Sequence, residues 1–173
     1  PYNVPISGHV TVSSGMHPEF IEASGEKSEK EFREFLSVTI TQMKTVLKPD
    51  GIAFLCMDWR HTDLLMETLK GPGFELLNIC VWAKQNPGMG SLYRSQHEFV
   101  VVAKPVGSKH QNNIQLGKFG RNRSNLWSYA GATGGQAGAE DDFSVHPTVK
   151  TVRLVRDAIL DVTSLKGMVL DPF

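Results

Sequence analysis

Between residues 28 and 57 the hydrophobic pattern changes period once, and that change restricts what the chain can fold into. Phe32, Phe35, Leu36, Ile40, Met43, Val46 and Leu47 recur at helical spacing and predict a helix from Ser28 with one buried face. Pro49-Asp50-Gly51 ends it. Residues 52–57, Ile-Ala-Phe-Leu-Cys-Met, are then apolar without alternation. A strand with one wet face alternates, so a continuously apolar one is covered on both faces, as in a parallel sheet.

The same exchange of periods continues downstream. A second helix is predicted over 62–69, strands over 74–82 and 97–104, and a last helix with Pro147 in its first turn. Val152, Val155, Ala158, Ile159 and Val162 make that helix's apolar stripe, and residues 168–170 begin a further strand. Helices alternating with apolar strands imply an α/β sheet. Ligands of such sheets lie beyond the carboxyl ends of the strands. Pro1-Tyr2-Asn3, Asp58-Trp59-Arg60 and Asp171-Pro172-Phe173 would all fall at that edge and form a site there.

Two stretches carry no clear period. Residues 1–26 are rich in Ser, Gly and Pro and read as a long loop after a strand further upstream; loops of that length are usually functional. Residues 106–144 are rich in Gly and Asn. The chain as a whole has zero formal charge, so no global field draws it to nucleic acid. Locally the balance differs: residues 105–139 contain no Asp or Glu but do contain Lys109, Lys118, Arg121 and Arg123. Lys118, Arg121 and Arg123 are candidates for phosphate contacts, and Asn112, Asn113, Gln115 and Asn122 for base edges. An ordinary polar loop is the competing reading.

Cys56 and Cys80 each lie in an apolar run and read as buried thiols of a cytosolic protein, not a disulfide. The six histidines show no close ligand spacing, so no metal is assigned. Asp58 reads as a helix cap beside a packed Trp59. No apolar run approaches the roughly 20 residues of a membrane span. The start on Pro1 and the stop on Phe173 read as limits within a longer chain.

The motifs and their order are more specific than the pattern. Pro1-Tyr2-Asn3 resembles the end of an Asp-Pro-Pro-Tyr-Asn motif, His146-Pro147-Thr148-Val149-Lys150 a His-Pro-Thr-x-Lys-Pro element, and Asp171-Pro172-Phe173 the start of Asp-Pro-Phe-x-Gly-Ser-Gly. In this order they resemble the beta group of DNA amino-methyltransferases, which methylate adenine N6 or cytosine N4. Residues 88–98 and 120–129 resemble signature stretches of a subgroup often fused to a ParB-like nuclease domain. The resemblance implies a Rossmann-like fold for S-adenosylmethionine-dependent methyl transfer, truncated at both ends. It divides the chain into a catalytic-side part (1–105), a target-recognition region (106–144) and the start of the cofactor-binding part (145–173).

An exocyclic amine is a poor nucleophile because its lone pair is delocalised into the ring, so its base must leave the stack and enter a pocket. The resemblance makes Tyr2 the platform on which that base stacks, with Pro1 and Asn3 beside it. The tetrad's acid would precede Pro1, so the chain as given is expected to be inactive alone. His146, Thr148, Lys150, Asp171, Pro172 and Phe173 would face the cofactor; His146 reads as a cap or loop support, since the proton leaves after attack and needs no strong base. Arg94, Lys118, Arg121, Asn122 and Arg123 would face double-stranded DNA. The family has Pro where this chain has Thr151, which puts the local geometry in question.

The implied activity favours adenine N6 over cytosine N4. Other readings are a non-catalytic DNA-binding or assembly module, or a methyltransferase acting on RNA or protein glutamine. A bacterial or phage cytoplasmic location and a homodimer are what the resemblance suggests.

Overall fold

The computed structural model describes residues 2–5, 21–88, 90, 92–131 and 149–172. Pro1, His146, Pro147, Thr148 and Phe173 lie outside the described residues. The element order is α1 (Glu29–Val46), β1 (Ala53–Met57), α2 (Thr62–Lys70), β2 (Phe74–Ala83), β3 (His97–Pro105), β4 (Leu126–Ser128) and α3 (Val152–Val162). The strands form one sheet in the order β1-β3-β2-β4. β3 runs antiparallel to both β1 and β2, and β4 runs parallel to β2.

The sheet is therefore mixed, which corrects the parallel arrangement inferred from residues 52–57. β1 and β2 do share a direction, but β3 is inserted between them. The inference that both faces are covered stands. Phe32, Leu36 and Ile40 of α1 and Leu64, Leu65 and Leu69 of α2 pack on one face with Ala53, Met57, Val101 and Ala103. Leu154 and Ala158 of α3 pack on the other with Cys80, Trp82, Val100, Val102 and Trp127. β3 supplies its alternate residues to the two cores, and Val101 and Val100 are 0% and 1% exposed. Neither side of β3 meets water, which is why its sequence does not alternate.

β2 cannot serve both cores as a regular strand. Phe74, Cys80 and Trp82 are all even-numbered, so a strict two-residue repeat would put them on one face. Phe74 instead lies in the α1/α2 core, and Cys80 and Trp82 lie in the α3 core. A bulge between Leu76 and Asn78 adds one residue opposite β3 and switches the faces. It also sets Trp82 directly across from Glu98.

Local signals account for the helix ends. Ser28 caps α1 in a reciprocal arrangement with Glu31, each side chain accepting the other's backbone N–H. α3 starts at Val152, later than the helix expected from Pro147, because Thr151 is its cap and accepts from Leu154 N. The Thr standing where the resembled family has Pro thus supplies a hydrogen bond that Pro could not. The face that α3 buries also differs from the expected stripe. Leu154 and Ala158 are buried, while Val152 and Val155 are about two-fifths exposed. Val46, placed on the buried face of α1 by its spacing, is 63% exposed.

Three further expectations need correction. Residues 168–170 are not a strand, and Met168, Val169 and Leu170 are exposed. Asp58 does not cap α2, whose N-cap is His61 without a side-chain bond. Asp58 accepts from Arg60 N at 3.0 Å and pairs with its guanidinium, while Trp59 is exposed beneath that guanidinium instead of packed. Cys80 is buried and Cys56 half-buried, both as free thiols. No described helix is long and apolar enough to cross a membrane.

The bulge yields a test. Deleting Leu77 leaves the pairing on both sides of the gap intact, so its cost is lost side-chain packing, at most about 2 kcal/mol. Deleting Ile79 closes the same gap but sets the exposed Asn78 opposite Val101 in the half-buried place of Ile79, which replaces an apolar contact with a partly desolvated amide for about 1 kcal/mol more. Urea-unfolding midpoints of the two deletion variants should therefore differ, with the Leu77 deletion the more stable.

Candidate active site

β1 and β2 end at the same edge of the sheet on either side of the start of β3, and a group of polar side chains meets there. β1 stops at the Met57–Phe99 pair, so Glu98 projects one position beyond it, and β2 ends at the Ala83–His97 pair, followed by Lys84. Glu98 is 9% exposed and shares a face with Trp82, Cys80 and Val100. A carboxylate so placed must be paired to remain charged.

Its partners come from three separate segments. Lys84 Nζ forms a short ion pair with Oε1, and its ammonium also lies 4.7 Å from the centre of the Trp82 ring. Tyr2 donates its hydroxyl to Oε2 at 2.7 Å. Lys150 Nζ donates to the same Tyr2 oxygen at 2.7 Å and lies 3.7 Å from Oε2. Lys150, expected on a helix face, is in fact the residue before the Thr151 cap, and so reaches the sheet edge.

The electrostatics follow from this packing. Burial raises the carboxyl of Glu98, but Lys150 and Lys84 more than offset it and hold the group below its ordinary value. The Tyr2 phenol is pushed well above its usual value, first by burial and then by the negative charge of Glu98, with Cys56 and Asp58 adding to it. It stays protonated and keeps donating throughout the neutral range. Burial also raises the Cys56 thiol, partly opposed by Lys150, with Glu98 and Asp171 acting in the same direction as burial. Cys56 is thus an unreactive wall of the site.

Asn3 fixes the other end of Tyr2. Its side-chain amide donates to Lys27 O at 2.8 Å, and its oxygen accepts from Gly25 N and Lys27 N, both at 3.2 Å. Asn3 has φ of 52°, a left-handed conformation that Asn tolerates better than most residues. Gly25 has φ of 97°, and a β-carbon there would lie 2.7 Å from Pro5 Cδ. Only glycine lets the two segments approach so closely. The contacts tie residues 2–5 to the segment that leads into the Ser28 cap, and so to α1.

The sequence-predicted nucleic-acid residues divide into two groups. Arg123 pairs with Asp161 of α3, donates to Tyr129 O–H at 3.3 Å and stacks over Trp127 at 4.9 Å. Arg94 donates to Gly88 O and Pro87 O, both at 2.9 Å, and closes its own loop. Lys118, Arg121 and Asn122 are exposed. Arg121 donates to Asn113 O at 3.1 Å and lies 5.2 Å from the centre of the exposed Phe119 ring. Asn113 itself, a candidate base reader, donates to Leu160 O at 2.8 Å and Thr163 O at 2.6 Å, docking this segment on the end of α3.

Sequence reasoning did not single out Glu98 or Lys84 as site residues. A signal was present: Glu98 is an acid at the mouth of the otherwise apolar run 99–103, and Lys84 follows a second such run. Among the described residues no group of three or more acids, histidines or cysteines could hold a metal ion.

Comparison with known proteins gives this edge its context. A family model described as DNA methylase, N6_N4_Mtase, matches residues 1–173. The crystal structure of an M1.HpyAVI–SAM complex superposes with a TM-score of 0.61 at 22% identity, over 81% of this chain and 65% of that one. The crystal structure of M1.HpyAVI without that label gives 0.56 at 18% identity, over 84% and 66%. At such identities the likeness is one of fold, and the chain spans just under two thirds of the length of those proteins. It agrees with the Rossmann-like methyltransferase architecture expected from the motif order. With the family model covering every residue, this chain belongs to the N6_N4_Mtase family of DNA methylases.

Proposed function

We propose that the full-length protein transfers a methyl group from S-adenosylmethionine to the exocyclic amine of a base flipped out of duplex DNA, adenine N6 in preference to cytosine N4. The observation that carries this reading is Tyr2, held by its hydroxyl at the carboxyl ends of β1 and β2 in a chain of this family. With its oxygen fixed to Glu98 and Lys150, the far end of the ring is held in place to receive a base. Stacking on such a ring contributes about 1–3 kcal/mol, comparable to the cost of unstacking the base.

The residues at this edge also suit the cofactor. Its amino-acid part carries an ammonium and a carboxylate, and the site offers Asp171 for the first and the Lys150 ammonium for the second. When bound, S-adenosylmethionine supplies the electrophilic methyl. Tyr2 orients the base, and the apolar walls at Cys56 and Trp82 keep water from the reacting centre. His146, Thr148, Pro172 and Phe173 complete the cofactor side in this reading, and Pro1 and Asn3 the base side.

Methyl transfer by full-length protein to duplex DNA, with N6-methyladenine and N4-methylcytosine quantified separately, tests the proposal. N6-methyladenine as the main product is the expected result. Absence of both products on every duplex would sink the enzyme reading, and product on RNA or glutamine peptides alone would reassign the substrate.

The DNA side has its own prediction. Lys118→Ala and Arg121→Ala should each weaken binding on all sequences and lower the slope of log K against log salt by about 1. Arg123→Ala should instead lower the unfolding midpoint, because it strips Asp161 of its partner.

A further inference from the structure

The contacts around Glu98 carry an inference beyond methyl transfer itself. We infer that Glu98, held between Lys84 and Lys150, is a positioning residue that acts through Tyr2, fixing the place of the ring against which the substrate base stacks. This rests on the methyltransferase reading for its consequence in catalysis, but the anchoring is a property of the folded chain alone.

The geometry supports the role in three ways. Both carboxylate oxygens have partners within the protein: Oε1 takes Lys84 and Oε2 takes the Tyr2 hydroxyl, with the Lys150 ammonium 3.7 Å from Oε2. The residue is buried, so it acts by holding another residue. The Tyr2 oxygen is likewise fixed twice, as donor to Glu98 and acceptor from Lys150, each at 2.7 Å. Two bonds reaching that oxygen from different directions hold the far end of the ring in place and oppose a swing of the side chain about Cα–Cβ, which a single bond would restrain less. Lastly, the anchor is rooted in the core. Glu98 is the second residue of β3, whose following residues are paired on both sides, and lies across from Trp82, which is 2% exposed.

A structural ion pair could be placed anywhere in the sheet. This one joins the end of β2, the start of β3, the segment before α3 and the tyrosine of the resembled catalytic motif. Groups that bear on the phenol from neighbouring elements are Glu98, Cys56 and Asp58, and Lys150 completes the set. Lys150 links the anchor to the cofactor side. The same ammonium that orders Tyr2 sits one residue before the α3 cap, so base platform and cofactor segment share a contact.

The test uses full-length protein and Glu98→Gln, which keeps the volume and an acceptor but removes the charge, alone and combined with Tyr2→Phe. The expected result is a fall in kcat of about tenfold, with KM for DNA and Kd for cofactor changed less than about threefold, and a further loss below about twofold when Tyr2 is already Phe. Equal losses in both backgrounds, or a loss confined to KM, would overturn the inference. A second measurement does not depend on turnover. With tyrosine labelled at Cζ, the resonance missing from Tyr2→Phe is that of Tyr2. In the unmutated protein it should resist titration beyond about pH 10, and in Glu98→Gln it should titrate at lower pH. Identical titration of the two proteins shows that Glu98 does not hold the hydroxyl. If the unmutated protein transfers no methyl to any DNA, the methyltransferase reading fails, and the titration still decides the anchoring.

Discussion

A charged carboxylate at the end of a buried strand has to be neutralised, and Glu98 meets that need with groups from three distant parts of the chain. Lys84 lies 14 residues away, Tyr2 lies 96 away, and Lys150 reaches Tyr2 across 148. The desolvation cost of the carboxylate is offset by several partners together, none of which would hold it charged as well alone. The result is a polar cluster at the edge of the sheet where β1, β2 and β4 end and β3 begins. The position of Tyr2 is thereby a consequence of the sheet, although Tyr2 belongs to no strand or helix.

The cluster depends in turn on which way β2 faces. One extra residue at Leu77 turns Trp82, and with it Lys84, toward the α3 side, where Glu98 already points. Without that switch, Phe74 and Trp82 would compete for one core and Lys84 would leave its partner. The bulge is thus a packing device with an effect at the site. The Arg123–Asp161 pair and the Asn113 contacts perform a similar service on the far side, fastening the 111–129 segment to α3. α3 begins beside Lys150. The exposed face that carries Lys118 and Arg121 is consequently connected, through one helix, to the residue that holds Tyr2.

Much of the fold is legible in the residues themselves. α1, with its Ser28–Glu31 cap, and the apolar runs that become β1, β2 and β3 carry strong local signals, and their ends fall within one or two residues of the structure. β4 does not, because three residues with an exposed-buried-exposed pattern are too few to show a period. The insertion of β3 between β1 and β2 was also invisible, since a buried strand reads the same whichever way its neighbours run. At the candidate site, motif order singled out Tyr2 and Lys150, which the structure brings together at Glu98. It could not locate Glu98 or Lys84, whose importance arises only when separate segments meet. Arg123 and Arg94 show the reverse case. A basic residue in an acid-free stretch resembles a phosphate contact until its internal partner is visible, and Asp161 comes from beyond that stretch.

The central claim is that a flipped base stacks on Tyr2 at this edge. Duplex DNA carrying 5-iodouracil at the methylated position, irradiated in complex with the full-length protein and mapped by peptide mass spectrometry, examines it directly, because the excited base couples to the aromatic ring it lies against. The account predicts an adduct on Tyr2 that Tyr2→Ala abolishes. An adduct confined to Trp59, Tyr93 or Phe119, with Tyr2 unmodified, would contradict it.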